Sequence, residues 1–396
     1  MTERSKPDLQ DPAEVGMSAD HLRLAGDLMD RQFADGRSPM LAAVVARHGK
    51  IVFTKVLGDQ RPGGPPLAMD SVFPLASNTK PMTAAVLLAL VERGQIGLNE
   101  PVVHHLPELA VNDNEYVLVH HLLTHTTGWD PAAVTAGLEA AVAAGRSEPP
   151  PGLDELEHLL LRSIWAVPRS RHHGTMMAYA NPHYTLIGEI TRRVTGDTLD
   201  AAMRRYLLDP LGMDDTAVIL PDNLLGRLIE RPDGIPYAPG HPETVLPMYD
   251  QRWRECDDGG MGVHSTVLDY LVFLEMIRNG GVHEGTRVLS PATIRVMTTD
   301  QIPGLPAEIE GFVLKAASWG YGFSVGGADP VMRFRGGTTS RGALRHSGLG
   351  GIGSWVDRDL GISAVYHEVL TVEDDDHPRS WAYDRFEDVV TGAVTD

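Results

Sequence analysis

Cysteine is almost absent from this chain. The single residue, Cys256, excludes an intrachain disulfide. It stands in "RECDDGG", where the neighbouring carboxylates disfavour a thiolate, so it is not a candidate nucleophile. Long apolar runs are missing too. No stretch offers the ~18 uninterrupted apolar residues that a membrane-spanning helix needs. The opening "MTERSKPDLQDPAEVGMSADHL" has no apolar core and no cleavage signature of a signal peptide, so a cytoplasmic protein is expected. Basic charge is scarce: 34 Lys and Arg stand against 53 Asp and Glu, a formal net charge of −19. An acidic surface with no basic run repels nucleic acid and anionic lipid, so neither is an expected partner.

What is present points to a globular protein. The 396 residues are 42% hydrophobic, enough for a large core and more than one lobe. "SADHLRLAGDLMDRQFADG" (18–36) opens on a serine N-cap and predicts a helix. "LAAVVARHGKIVFTKVLG" (41–58) reads as two strands joined at His48-Gly49-Lys50. From about 100 to 245 the patterns are helical, including "LDELEHLLLRSI" and "NPHYTLIGEITRRVTG", the latter ending on a C-cap glycine, Gly196. Strands are not expected there. "STVLDYLVFLEMIRNGG" (265–281) predicts an amphipathic helix capped by Ser265. Strands return in "WGYGFSVGG", "GALRHSGLGG" and "GSWVDRDLGISAVYHE", and "SWAYDRFEDVVTGAV" (380–394) predicts a closing helix. The expected fold is therefore α/β of the α+β kind: an antiparallel sheet flanked by N- and C-terminal helices, with a mainly helical lobe inserted. The boundaries are 1–75 and 255–396 for the sheet domain and 76–254 for the helical one, with a site at their interface.

One segment is chemically odd. "FPLASNTKPMTAAVLLALVERGQIGL" (73–98) is an apolar helix that begins with Ser77 and Lys80. Positions i and i+3 share a helix face, and Pro81 keeps the serine at or just before the first turn. A helix N-terminus offers free N–H groups to a developing oxyanion. A serine becomes a nucleophile when a base takes its proton, and a lysine buried against an apolar helix is suited to that work. Burying it there without function would cost several kcal/mol, on the order of the usual buried-ion penalty.

Two further motifs follow. "MAYANPHYTLIGEI" sets Tyr179 and Asn181 in a Y-x-N before a helix, and "ALRHSGLGG" sets His346, Ser347 and Gly348 in an H-S-G on a strand. S-x-x-K, Y-x-N and K/H-[ST]-G in this order form the three-part signature of serine β-lactamases and penicillin-binding proteins. The chain resembles that superfamily in its class C branch, closest in character to the family VIII carboxylesterases. "VHHLLTHTTGW" (119–129), "PLGMDDT" (210–216) and "GGMGVHSTVLDYLVFLEMIRNGG" (259–281) extend the resemblance over most of residues 20–395.

The resemblance implies a β-lactamase/transpeptidase-like fold and a serine hydrolase that passes through an acyl-enzyme without a cofactor or metal. It implies Ser77 as the acylated residue, Lys80 as the partner that shares its proton, and Tyr179 as general base and acid. Asn181 is then a partner of Lys80 or of the substrate, and by position also a helix N-cap. His346, Ser347 and Gly348 would line the substrate, and the backbone N–H groups of Ser77 and Leu349 would form the oxyanion hole. Antibiotic-hydrolysing members carry lysine where His346 stands. A histidine anchors a carboxylate only when protonated, below about pH 6.5. This favours a carboxylesterase acting on small or short-chain esters, unless Arg341 or Arg345 supplies the missing charge. A D-amino-acid amidase or peptidase, a weak β-lactamase and an acyltransferase remain alternatives, as does a non-catalytic ligand sensor.

Two patterns compete. Gly322-Phe323-Ser324-Val325-Gly326 spells the G-x-S-x-G elbow, but no helical periodicity follows it. His121 and His125 have a helical metal-ligand spacing, but no H-E-x-x-H and no third ligand accompany them.

Overall fold

A computed structural model describes the chain except residues 1–6, 112, 145–147, 150–152, 154, 166, 233–250, 310–311, 327–336 and 371–379. Its centre is a six-stranded antiparallel sheet. The strand order is Ser324–Val325, Leu344–Gly348, Ile352–Asp357, Ile362–Glu368, Met40–Arg47 and Lys50–Gly58. Strands from the two ends of the chain thus meet where Val44 pairs with Val365. The expected N-terminal hairpin forms. His48 and Gly49 have φ of 50° and 80°, as a two-residue turn with two left-handed positions requires.

Met40–Arg47 is buried along its whole length because both faces of the sheet are covered. Leu41, Ala43 and Val45 face the terminal helices Ala19–Ala34 and Ser380–Gly392 through Leu22, Met29, Phe386 and Val390. Ser18 caps the first of these, accepting from the His21 N–H at 3.1 Å. On the other face, Ala42, Val44 and Ala46 join a core that runs on through Thr79–Glu92 into the helical segments. The fold is thus an antiparallel sheet with helices on both faces.

Three local readings need correction. The helix at 265–281 is Val267–Arg278 and is capped by Thr266, whose hydroxyl accepts from Asp269 N–H at 3.1 Å. Ser265 instead pairs with Phe73 in a short ladder. This helix is buried on most sides, because it is wedged between the sheet and the core. The helical region also contains a two-residue strand, Met177–Ala178, paired in parallel with Ala307–Ile309. It is too short to leave a periodic signal. In "WGYGFSVGG" only Ser324–Val325 is strand.

Candidate active site

The serine is held at a strained turn. Leu75 N–H donates to Val263 O at 2.8 Å, and Ala76 then adopts φ +49°. A left-handed conformation costs a residue with a Cβ about 1–3 kcal/mol and persists only where the surroundings enforce it. Ser77 lies in the following tight turn, Ala76–Asn78, and the helix Thr79–Glu92 starts directly after it. The surroundings pin the turn firmly. Tyr270 donates its hydroxyl to Asn78 O at 3.0 Å, Val263 N–H donates to Thr79 Oγ1 at 3.0 Å, and Thr83 donates to Gly259 O at 2.8 Å.

Lys80 is fully buried. Its Nζ donates to Ser77 Oγ at 2.9 Å, to Asn181 Oδ1 at 2.7 Å and to Gly260 O at 3.0 Å. Three oxygen acceptors match the three N–H bonds of an ammonium. The same Nζ lies 5.1 Å from the centre of the Tyr179 ring. Asn181 occupies the N-cap position of Pro182–Thr195, but its side chain makes no capping bond. Its carbonyl oxygen is committed to Lys80 instead.

Tyr179 follows directly after the short strand that the sequence hid. Its N–H donates to Glu308 O at 3.0 Å, and its hydroxyl lies 3.3 Å from His346 Nε2. His125 lies against its ring at 4.5 Å between centres, and Trp319 meets it edge-on at 5.8 Å. Behind His125, the two Nδ1 atoms of His125 and His183 share a hydrogen bond of 2.8 Å, and His183 Nε2 bonds Thr127 Oγ1 at 2.8 Å. Burial, helped by the Lys80 charge, pushes His346 and His183 down to about 3; burial also holds His125 well below the usual imidazole range. All three are neutral at working pH. His346 is therefore a neighbour of the tyrosine, and its protonation is not available to hold a carboxylate near neutrality.

The third motif closes the site. A Cβ on Gly348 would stand 2.4 Å from Leu75 O, so only glycine lets the strand end approach the serine turn. Ser347 is exposed beside it. Leu349 follows and packs with Ala76, together with Leu156, Trp253 and Cys256. Both arginines considered as carboxylate anchors lie elsewhere. Arg345 is buried, bonded to Glu387 at 2.6 Å and to Thr339. Arg341 is exposed before the opposite end of the strand from Gly348.

The structure thus brings together Ser77, Lys80, Tyr179, Asn181, His346, Gly348 and Leu349. A hydroxyl, an amine and a phenol meeting at a helix start form an arrangement able to generate an alkoxide nucleophile. Trp319, His183 and Asp258 had no signal in the sequence, because each reaches the site through tertiary packing alone. Ser324 lies in an edge strand paired with Arg345, not at a strand-to-helix elbow. The first glycine of that pattern, Gly322, has φ +84°, and a Cβ there would lie 2.8 Å from Pro81 Cα; it serves packing against the serine helix. His121 Nδ1 accepts from Leu118 N–H at 3.0 Å, and His125 sits in the tyrosine wall. Among the described residues no cluster of three or more His, Cys, Asp or Glu side chains is placed to hold a metal ion.

Fold and site together define a serine hydrolase of the β-lactamase and penicillin-binding-protein type. The Beta-lactamase family profile matches residues 24–386, and the chain belongs to that family. It is 30% identical over 388 residues to Esterase EstB of Burkholderia gladioli, covering 90% of this chain and 92% of the esterase. A penicillin-binding protein homologue from Caulobacter crescentus has the same fold, with a TM-score of 0.74 at 23% identity, covering 96% of this chain and 99% of that one. So does a family VIII carboxylesterase, with a TM-score of 0.69 at 23% identity over 94% of this chain and 98% of that one. No described helix is long and apolar enough to cross a membrane.

Proposed function

We propose that this protein is a carboxylesterase that works through an acyl-enzyme on Ser77. The observation that carries the reading is the fully buried Lys80, whose Nζ donates to Ser77 Oγ at 2.9 Å. Tyr179 acts as a phenolate, with the Lys80 charge stabilising its oxygen. It takes the Ser77 proton as Oγ bonds to the ester carbon. The carbonyl oxygen becomes an oxyanion held by the backbone N–H groups of Ser77 and Leu349. The C–O bond to the alcohol then breaks, and Tyr179 returns the proton to the leaving oxygen. Water repeats the sequence on the acyl-enzyme, with Ser77 as leaving group.

The walls support an uncharged substrate. Beside Ala76 stand the half-buried apolar side chains Leu159, Leu160, Met261 and Leu349. These form the acyl side. Beside Tyr179 stand Trp319, Leu305, Ile309 and Leu314, on the side where the alcohol must collect its proton. Ser347 and Gly348 form the polar edge along which the ester lies. Neither arginine near the third motif is placed to hold a carboxylate. The 30% identity to Esterase EstB agrees with this reading.

The test is a side-by-side measurement of kcat/KM on p-nitrophenyl butyrate, nitrocefin and a D-alanyl amide, with fluorophosphonate labelling mapped by peptide mass. The ester is expected to lead by at least about 100-fold, consistent with a site that leaves a buried carboxylate unpaired, and Ser77 to carry the label. Equal turnover of nitrocefin would overturn the ester preference. A label on Ser324 would overturn the nucleophile.

A further inference from the structure

Asp258 lies beneath the site, is fully enclosed, and belongs to none of the three motifs. Its Oδ2 accepts from Gly260 N–H at 3.0 Å and from Met261 N–H at 2.7 Å. Its Oδ1 accepts from the Thr185 hydroxyl at 2.6 Å. The Met261 N–H and the Gly260 C=O belong to one peptide group, and that C=O accepts from Lys80 Nζ at 3.0 Å. A carboxylate therefore grips one end of a peptide whose other end receives the ammonium. Each contact polarises the peptide in the same sense, which strengthens both bonds. The backbone fits the arrangement closely: a Cβ on Gly260 would lie 3.1 Å from both Asp258 Oδ2 and Asn181 O.

Resting on the esterase reading above, we propose that Asp258 is a positioning residue of the reaction: it forms a peptide-bridged ion pair with Lys80 that fixes the ammonium between Ser77 and Tyr179. The alternative is a purely structural carboxylate that shapes the loop 258–261. Charge separates the two. Burial raises Asp258 and the Lys80 charge opposes that rise, so the two groups sense each other. Other titratable groups near them among the described residues are His125, His183 and His346, held neutral by burial, Tyr184, which burial pushes far up, and the adjacent buried Asp257, whose carboxylate accepts from the Leu199 and Asp200 N–H groups.

The sign of the effect follows. Removing a negative charge makes protonated lysine and protonated tyrosine both less favourable. Asp258→Asn should therefore displace both limbs of the pH profile of kcat/KM to lower pH, and should lower kcat about 10-fold or more with KM little changed. Asp258→Glu keeps the charge, so its limbs should stay in place while the amplitude falls. The substrate is p-nitrophenyl butyrate, and circular dichroism and thermal melting report folding. A profile for Asp258→Asn that superimposes on the wild type after scaling would overturn the proposal and leave a structural carboxylate. Should Asp258→Asn not fold, Thr185→Ala replaces it. That variant removes one donor to the carboxylate, so Asp258 takes up a proton at higher pH and the loss should be larger at pH 6 than at pH 8; an equal loss at both overturns the proposal. Fluorophosphonate labelling keeps the two readings apart. A wild-type enzyme unlabelled at Ser77 defeats the esterase mechanism itself, whereas normal labelling with unshifted limbs defeats only the role of Asp258.

Discussion

The two sides of the active site are built to different standards. On the lysine side, three oxygen acceptors meet the Lys80 ammonium, and one of those acceptors is braced from behind by Asp258. On the tyrosine side, His125 Nε2 and Trp319 Nε1 are buried and have no hydrogen-bond partner among the described residues. Native structures leave few such groups, and each costs about 1–3 kcal/mol. The difference separates two tasks. A buried ammonium must be fully matched or the fold fails, so the lysine side is fixed by stability. The tyrosine side is held by ring contacts, with His125, Trp319 and His346 around one phenol. Ring packing fixes the phenol beside His346 Nε2, 3.3 Å from its hydroxyl.

The largest test of this contrast is catalytic. Lys80→Ala and Tyr179→Phe should each lower turnover of p-nitrophenyl butyrate by about 10²–10⁴, the usual range for lost proton-transfer groups. They should differ in stability. Lys80→Ala strands Asn181 Oδ1 and Gly260 O, whereas Tyr179→Phe retains the ring and its neighbours. Thermal melting should show a clear loss for the first and little for the second, and equal losses would erase the distinction drawn between the two sides.

A smaller effect is expected from acid. His183, His346 and His367 are pushed by burial down to about 3, and His264 to about 4. Unfolded imidazoles take up protons near pH 6.5 and these folded ones do not, so their stabilisation is complete above pH 6.5 and is lost as pH falls toward 4. Glu368 and Asp384 are raised by burial to about 8 and about 7 and act in the opposite sense: their contribution is present at low pH and lost as pH rises. Four imidazoles outweigh two carboxyls, so the melting temperature should fall between pH 6.5 and 4.5. A flat or rising curve would mean that these histidines are not buried neutral.

The smallest effect sharpens the picture of the tyrosine side. Trp319→Phe removes an unpartnered buried N–H while keeping an aromatic face toward Tyr179, His125 and His346. The expected change in stability is within about 1 kcal/mol, since a lost indole volume is offset by a relieved polar group. Denaturant unfolding measures it, and a loss above about 3 kcal/mol would show the indole N–H to be engaged.

Much of this protein was legible in its residues. The alternation at 41–58, the caps at Ser18 and Gly196, and the apolar helix beginning at Ser77 and Lys80 are local patterns that local physics reads out. The three motifs marked residues that meet, because their order and spacing resemble those of a known family; the chemistry itself needs only that the side chains converge in space. The sequence could not show what each side chain would face. His346 looked like a weak carboxylate anchor, yet burial against Tyr179 keeps it neutral, and desolvation depends on the whole surrounding shell rather than on neighbours in the chain. Asn181 had three possible jobs, and the arrival of Lys80 from 101 positions away took its side chain from the capping one. The strand at Met177–Ala178 exists because residues 307–309 pair with it, and Asp258 matters because one peptide carries its charge toward the lysine. Pattern determined the elements and marked the candidate residues; the packing of distant segments decided protonation and hydrogen-bond partners, because both depend on what excludes water from a group.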